Sequence, residues 1–169
     1  MTLKSLLFVP GDSEKKMAKA ASTGADALLL DLEDAVSQDR LPLARGKVLD
    51  YLKSHDRAKQ QVWVRINPLN TALSLPDLVA VMPGKPDGIV LPKPLNAKDV
   101  QQLDHFLSAL EQREGIAHGH TRILPVATEV AGALFQLDSY AGCSPRLAGL
   151  TWGAEDLATD IGATTNKKE

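Results

Sequence analysis

The sequence predicts a parallel α/β fold of the TIM (β/α)8 barrel type, cut short after about six βα units, and three observations predict it. Six short apolar runs recur without the in-out alternation of a half-exposed antiparallel strand, as parallel strands covered on both faces would. Segments with helical spacing lie between them. The charged residues gather at the C-terminal ends of the runs, in LDLED, VRIN, LPK, ATE and GAED, where a barrel collects side chains from several strands around one mouth.

The elements follow in order. The run 5–10 (SLLFVP) is the first strand and stops at Pro10-Gly11, and DSEKKMAKAASTG then reads as a helix from Asp12-Ser13 to Gly24. The second strand is 27–34 (ALLLDLED), followed by a helix in RLPLARGKVLDYLKSH that carries Leu43, Val48, Leu49 and Leu52. VWVRIN (62–67) is the third strand, and a short helix fits Leu75 to Val81. GIVLPK (88–93) is the fourth strand, and the helix after it opens on the N-cap Asn96 and closes at Gly115. RILPVATE (122–129) is the fifth strand, GALFQLDSYA a helix, and LAGLTWGAE (147–155) the sixth strand.

A doubly wound open sheet is the competing architecture. It would place only one or two strand ends at its crevice, and the sequence has neither G-x-G-x-x-G nor G-x-x-x-x-G-K-[ST]. A complete barrel takes about 250 residues and eight strands, whereas this chain has 169 residues. Residues 1–162 are therefore expected to form a barrel domain incomplete at its C-terminus, with 163–169 a disordered polar tail; a fragment and a naturally short relative both fit. The edges of the first and sixth strands would lie open unless another chain or a rearranged segment covers them, and self-association to a homo-oligomer is expected.

Composition excludes several classes. A net charge of −2, with no basic cluster beyond Lys167 and Lys168, offers nucleic acid no surface to grip. The single cysteine, Cys143, makes no internal disulfide or cysteine-based zinc cage, so a cytoplasmic, reducing setting is expected. No apolar run approaches the roughly 20 residues of a membrane span.

Glu129 and Asp156 end the fifth and sixth strands, neighbours in a barrel, and two carboxylates that leave positions open for water and substrate suit Mg²⁺. The plainer alternative is a pair of solvated acids or helix caps. Arg65 sits within an apolar run, so its guanidinium must meet a carboxylate. That partner is either Asp31, Glu33 or Asp34 on the second strand, or a ligand whose carboxylate or enolate Arg65 would hold. Lys93 ends the fourth strand and would suit a Schiff base, but the surrounding acids would keep it protonated. The turn at Pro10-Gly11 would hold an anion on free N–H groups, or Asp12 or Ser13 simply caps the helix there. His55, His105, His118 and His120 lie away from strand ends and are assigned no role.

Taken in order, LLFVPGDSEKKMAKA, GADALLLDLEDAV, VWVRIN, DGIVLPK, ATEVAGAL and SPRLAGLTWGAEDLATDIG resemble the citrate lyase beta-subunit-like proteins of the HpcH/HpaI aldolase superfamily along essentially the whole chain. The resemblance implies a Mg²⁺-binding TIM barrel that cleaves the carbon–carbon bond of a 3-hydroxy acyl thioester of the citryl-, malyl- or citramalyl-CoA type. The products would be a 2-keto acid and an acyl thioester, carried by CoA or an acyl-carrier protein. It implies Glu129 and Asp156 as metal ligands and Arg65 as the catalytic and substrate-carboxylate contact. Glu33 and Asp34, with Asp31, would fix Arg65 or water at the metal, and FVPG (8–11, with Pro10 and Gly11), LDLED (30–34) and Glu129 would line the substrate mouth. The alternative is a catalytically inactive barrel fragment that binds a keto acid or CoA ester, or serves as an assembly subunit.

Overall fold

A computed structural model describes residues 3–165. Five strands, β1 (Leu6–Pro10), β2 (Ala27–Asp31), β3 (Gln61–Arg65), β4 (Gly88–Leu91) and β5 (Arg122–Pro125), form one parallel sheet in the order β1-β2-β3-β4-β5. Sequential order is what a barrel winds; a doubly wound sheet reverses direction partway across. The helices are α1 (Glu14–Ala20), α2 (Leu41–Ser54), α3 (Ser74–Val81), α4 (Ala97–Glu114) and α5 (Ala154–Asp160).

Local chemistry sets the boundaries. Ser13 caps α1 by accepting from the Lys16 N–H, and Asn96 forms a capping box with Asp99 at the start of α4. Gly115 ends α4 with φ 62°, a left-handed conformation that costs glycine nothing.

The two faces of the sheet bury different residues, as strand alternation requires. Leu28, Leu30, Val62, Val64, Ile89, Leu91 and Ile123 join Val48 and Leu52 of α2 and Leu103 and Leu107 of α4 in the larger core. On the other face Ala27, Leu29, Trp63, Val90 and Val126 form a smaller cluster. Gly88 makes room there, because a Cβ at that position would lie 2.2 Å from the Trp63 ring. The row of Leu29 and Trp63 continues two residues on to Asp31 and Arg65, which stand opposite each other in register. The inner face thus changes from apolar to charged at the C-terminal ends of the strands.

The predicted sixth strand is present in reduced form. Ile123 pairs with Leu147 and Val126 with Thr151, both parallel, so three steps along β5 match four along the outer segment. The extra residue is a bulge that breaks the ladder into isolated bridges. The helix predicted in GALFQLDSYA is a run of i→i+3 turns over Ala131–Tyr140, and α5 begins within the stretch read as the sixth strand's end. Leu6 and Phe8 of β1, with Leu150 and Trp152 of the outer segment, are exposed large apolar side chains. The tail expected over 163–169 falls, from 166 onward, outside the described residues. No helix among the described residues is long and apolar enough to cross a membrane.

Candidate active site

Asp31 closes β2 with its own turn, accepting from the N–H groups of Glu33 (3.0 Å) and Ala35 (3.1 Å). The same carboxylate takes a two-pronged hydrogen bond from Arg65, Nε to Oδ1 at 2.8 Å and Nη2 to Oδ2 at 2.7 Å. Arg65 Nη1 also lies 2.9 Å from Glu33 Oε2 and 3.5 Å from Asp34 Oδ2, and the guanidinium sits 4.8 Å over the Phe8 ring. Burial works against a charged Arg65, but the hydrogen bonds and charge of Asp31, then Glu33 and Asp34, outweigh it and raise its pKa.

Lys93 follows β4 and is the second cation. Its Nζ is hydrogen-bonded to Glu33 and lies 3.4 Å from both Asp34 Oδ1 and Asp156 Oδ1, while its backbone N–H donates to Glu129 Oε2 at 2.6 Å. Burial would lower the Lys93 pKa; the hydrogen bond and charge of Glu33, with Asp34 and Asp156, raise it instead. The ammonium therefore persists through neutral pH, as the sequence argument against a Schiff base requires.

Glu129 and Asp156 reach this point by different routes. Glu129 is buried beyond the end of β5 and packs so closely on Gly153 that a Cβ there would fall 2.3 Å from its Cγ. Gly153 precedes α5, donates its N–H to Thr128 Oγ1 at 2.8 Å, and sets Asp156 in the helix's first turn. Burial first, then the charges of Glu33 and Asp156, push the Glu129 carboxyl up to about 7 against the pull of the Lys93 N–H. Burial likewise raises Glu33, opposed by Lys93 and Arg65. A cavity of about 190 Å³ is lined by Phe8, Arg65, Glu129, Trp152, Gly153 and Asp156.

The structure therefore brings Arg65, Glu33, Asp34, Glu129 and Asp156 together. It does not add Pro10 or Gly11. The Gly11 N–H donates to the Asp31 carbonyl at 2.8 Å, and Gly11 packs against Val48 and Leu32, so this N–H is used inside the fold. Asp160, which crowds the same stretch of sequence, points away from this cluster to accept from the Ala131 N–H at 2.7 Å. Trp152 and the turn-building role of Asp31 escaped the sequence reading. The small-residue turn in TWGAED was the signal for Gly153.

Asp31, Glu33, Asp34, Glu129 and Asp156 surround Arg65 and Lys93, so among the described residues five carboxylates face two cations. That surplus, and the raised Glu129, fit a divalent cation with hard oxygen ligands. Glu129 and Asp156 would hold it as a pair; no group of three or more His, Cys, Asp or Glu side chains among the described residues forms a cage.

Comparison with known proteins bears on this geometry. The HpcH/HpaI aldolase/citrate lyase family pattern matches residues 4–169. Citrate lyase subunit beta of Haemophilus influenzae is 32% identical, over 94% of this chain and 54% of its own. L-malyl-CoA/beta-methylmalyl-CoA lyase of Cereibacter sphaeroides is 33% identical, over 94% of this chain and 50% of its own. The chain thus spans about half the length of these curated relatives. The citrate lyase beta subunit of Mycobacterium tuberculosis, solved with oxaloacetate and magnesium, superposes with a TM-score of 0.73 at 30% identity. That match covers 96% of this chain and 63% of the other.

Proposed function

The chain belongs to the HpcH/HpaI aldolase/citrate lyase family, and on that premise we propose that it carries the acidic, metal-holding part of a Mg²⁺-dependent carbon–carbon lyase. The substrate would be a 3-hydroxy acyl thioester of the citryl-, malyl- or citramalyl-CoA kind, and the products a 2-keto acid and an acyl thioester. One observation carries this reading: Arg65, Glu129 and Asp156 line one cavity at the C-terminal ends of parallel strands, where barrel enzymes keep their chemistry. Citrate lyase subunit beta and the malyl-CoA lyases support it as relatives, and the magnesium and oxaloacetate in the M. tuberculosis structure support the ligand class.

In this reading Glu129 and Asp156 hold the ion. Bound there, a divalent cation would supply Lewis-acid stabilisation of negative charge developing on the substrate's hydroxyl oxygen. Arg65 offers the substrate carboxylate its Nη1 donors, which Asp31 does not engage and which otherwise face Glu33 at 2.9 Å and Asp34 at 3.5 Å. Asp31 and Phe8 fix the plane of that guanidinium, so its donors point the same way before and after ligand arrives. Glu33 ties Arg65 to Lys93 and keeps both charges at the mouth.

The exposed Leu6, Phe8, Leu150 and Trp152 favour a second reading. In it, these residues bind metal and keto acid, while turnover requires further polypeptide, from a longer protein or a second copy, to cover the open edges and supply an acid for the enolate.

Calorimetry with oxaloacetate or pyruvate, with and without Mg²⁺, tests the first half. Binding should require the metal and weaken about 100-fold in Arg65→Lys. Cleavage assays on malyl-, citramalyl- and citryl-CoA with and without EDTA test the second. Turnover that ignores EDTA and is trapped on Lys93 by borohydride overturns the proposal.

A further inference from the structure

Lys93 is held in an unusual way. Its φ of 51° lies in the left-handed region, although it is neither glycine nor asparagine and stands directly before Pro94. Such a backbone persists where the surroundings over-determine it, and these positions cluster at functional sites. The turn has a visible consequence. The Lys93 N–H points at Glu129 Oε2 (2.6 Å), while the side chain reaches the opposite way, to Glu33, Asp34 and Asp156. One residue thus touches both carboxylates assigned to the metal, by two different atoms.

Glu33 is also engaged by Arg65, and Asp34 is largely exposed, so the ammonium is not required to neutralise either of them. Among the contacts of its ammonium, Asp156 is the one that a divalent ion would claim. Geometry of this kind has two effects of opposite sign. The ammonium holds Asp156 in place beside Glu129, and it repels any second cation at the same spot.

We propose that Lys93 is a positioning residue that acts as the resident counter-ion of Asp156 at the cavity's edge, occupying that carboxylate until a divalent cation takes it over. The inference rests on the reading of Glu129 and Asp156 as metal ligands. Its consequence is that the free site binds Mg²⁺ weakly. An anionic keto acid, by adding negative charge between Arg65 and the ion, then strengthens the metal's hold.

Titration of wild type, Lys93→Met, Lys93→Gln and Lys93→Arg with MgCl2 alone, followed by calorimetry and with thermal melts as the folding control, tests this. Both neutral variants should bind Mg²⁺ about tenfold more tightly, because a positive charge a few Å away has gone. Lys93→Arg should stay within about twofold of wild type. Damage to the site would weaken binding, so tightening cannot come from a merely structural role. Weaker or unchanged affinity in both neutral variants, in a wild type that binds Mg²⁺ and loses it on Asp156→Asn, overturns the counter-ion role alone. A wild type that binds no Mg²⁺ at all overturns the ligand reading and this inference with it.

Discussion

Two arginines in this molecule are surrounded by acids, and they do different work. Arg146, one of the most deeply buried large side chains, donates Nε to Asp104 Oδ1 (2.6 Å) and both Nη atoms to Glu111 (2.8 and 2.7 Å). It also reaches the Thr121 carbonyl and Ser108 Oγ. Glu111 in turn accepts from the N–H groups of Gly119 and Thr121, both at 2.8 Å. Burial alone would raise the pKa values of Asp104 and Glu111, yet Arg146, with Ser144 for Asp104 and these N–H groups for Glu111, lowers both. Each guanidinium nitrogen there has a carboxylate partner. Carboxylates outnumber cations in both clusters, two to one at Arg146 and five to two around Arg65 and Lys93, but the Arg65 cluster opens on one side to a cavity and burial pushes Glu33 and Glu129 up there. A saturated arginine holds elements together, here the outer segment against α4. An arginine beside raised carboxyls at the edge of a cavity marks a place where charge is still to arrive.

The largest expected effect breaks the saturated cluster. Arg146→Ala leaves Glu111 buried without its counter-charge and should cost about 3–5 kcal/mol in urea unfolding. A loss below about 1 kcal/mol would mean that the cluster is not the clamp its geometry describes.

A smaller effect probes the point where the two regions share a segment. Gly153→Ala places a Cβ 2.3 Å from Glu129 Cγ and 2.9 Å from Val126 Cγ1, which overpacking should convert into about 1–3 kcal/mol of lost stability. Mg²⁺ affinity should fall with it, because Glu129 has to move. Full stability with unchanged metal binding would show that the contact relaxes freely.

The smallest effect concerns pH. Burial and the neighbouring acids push the Glu129 carboxyl up to about 7, above the ordinary carboxylate range, so the folded state favours its protonated form. Its contribution to stability is fully present below about 4.5 and is lost as pH rises through about 7. Glu129→Gln keeps the group neutral. The melting difference between variant and wild type should therefore widen between pH 5 and pH 8 in metal-free buffer, by about 1 kcal/mol once solvent screening is allowed for. A constant difference would place Glu129 in a wetter setting than the structure gives it.

Much of the fold was legible because its signals are local. Apolar runs without alternation marked all five strands to within a few residues, and Asn96 and Gly115 marked the ends of α4 by cap chemistry. The sixth strand was legible as a parallel neighbour of β5 but not as a bulged one, since the extra residue shows only when Leu147 and Thr151 are matched against Ile123 and Val126. Arg146 was invisible as a clamp: its partners Asp104 and Glu111 lie 42 and 35 residues away. In the candidate site, the charged residues at strand ends drew attention in the sequence, whereas Trp152 looked like an ordinary apolar position until the cavity put it beside Arg65.

By itself the sequence determined the architecture and nominated the charged residues of the candidate site, because strand periodicity, helix caps and charges at strand ends are written along the chain. Only the tertiary structure decided which charges are spoken for. Register set Asp31 opposite Arg65, the left-handed turn at Lys93 joined Glu129 to Asp156, and the Gly11 N–H went to the sheet. Coulomb energy and hydrogen bonding fall off within a few Å, so the role of each acid depends on neighbours that folding alone brings near.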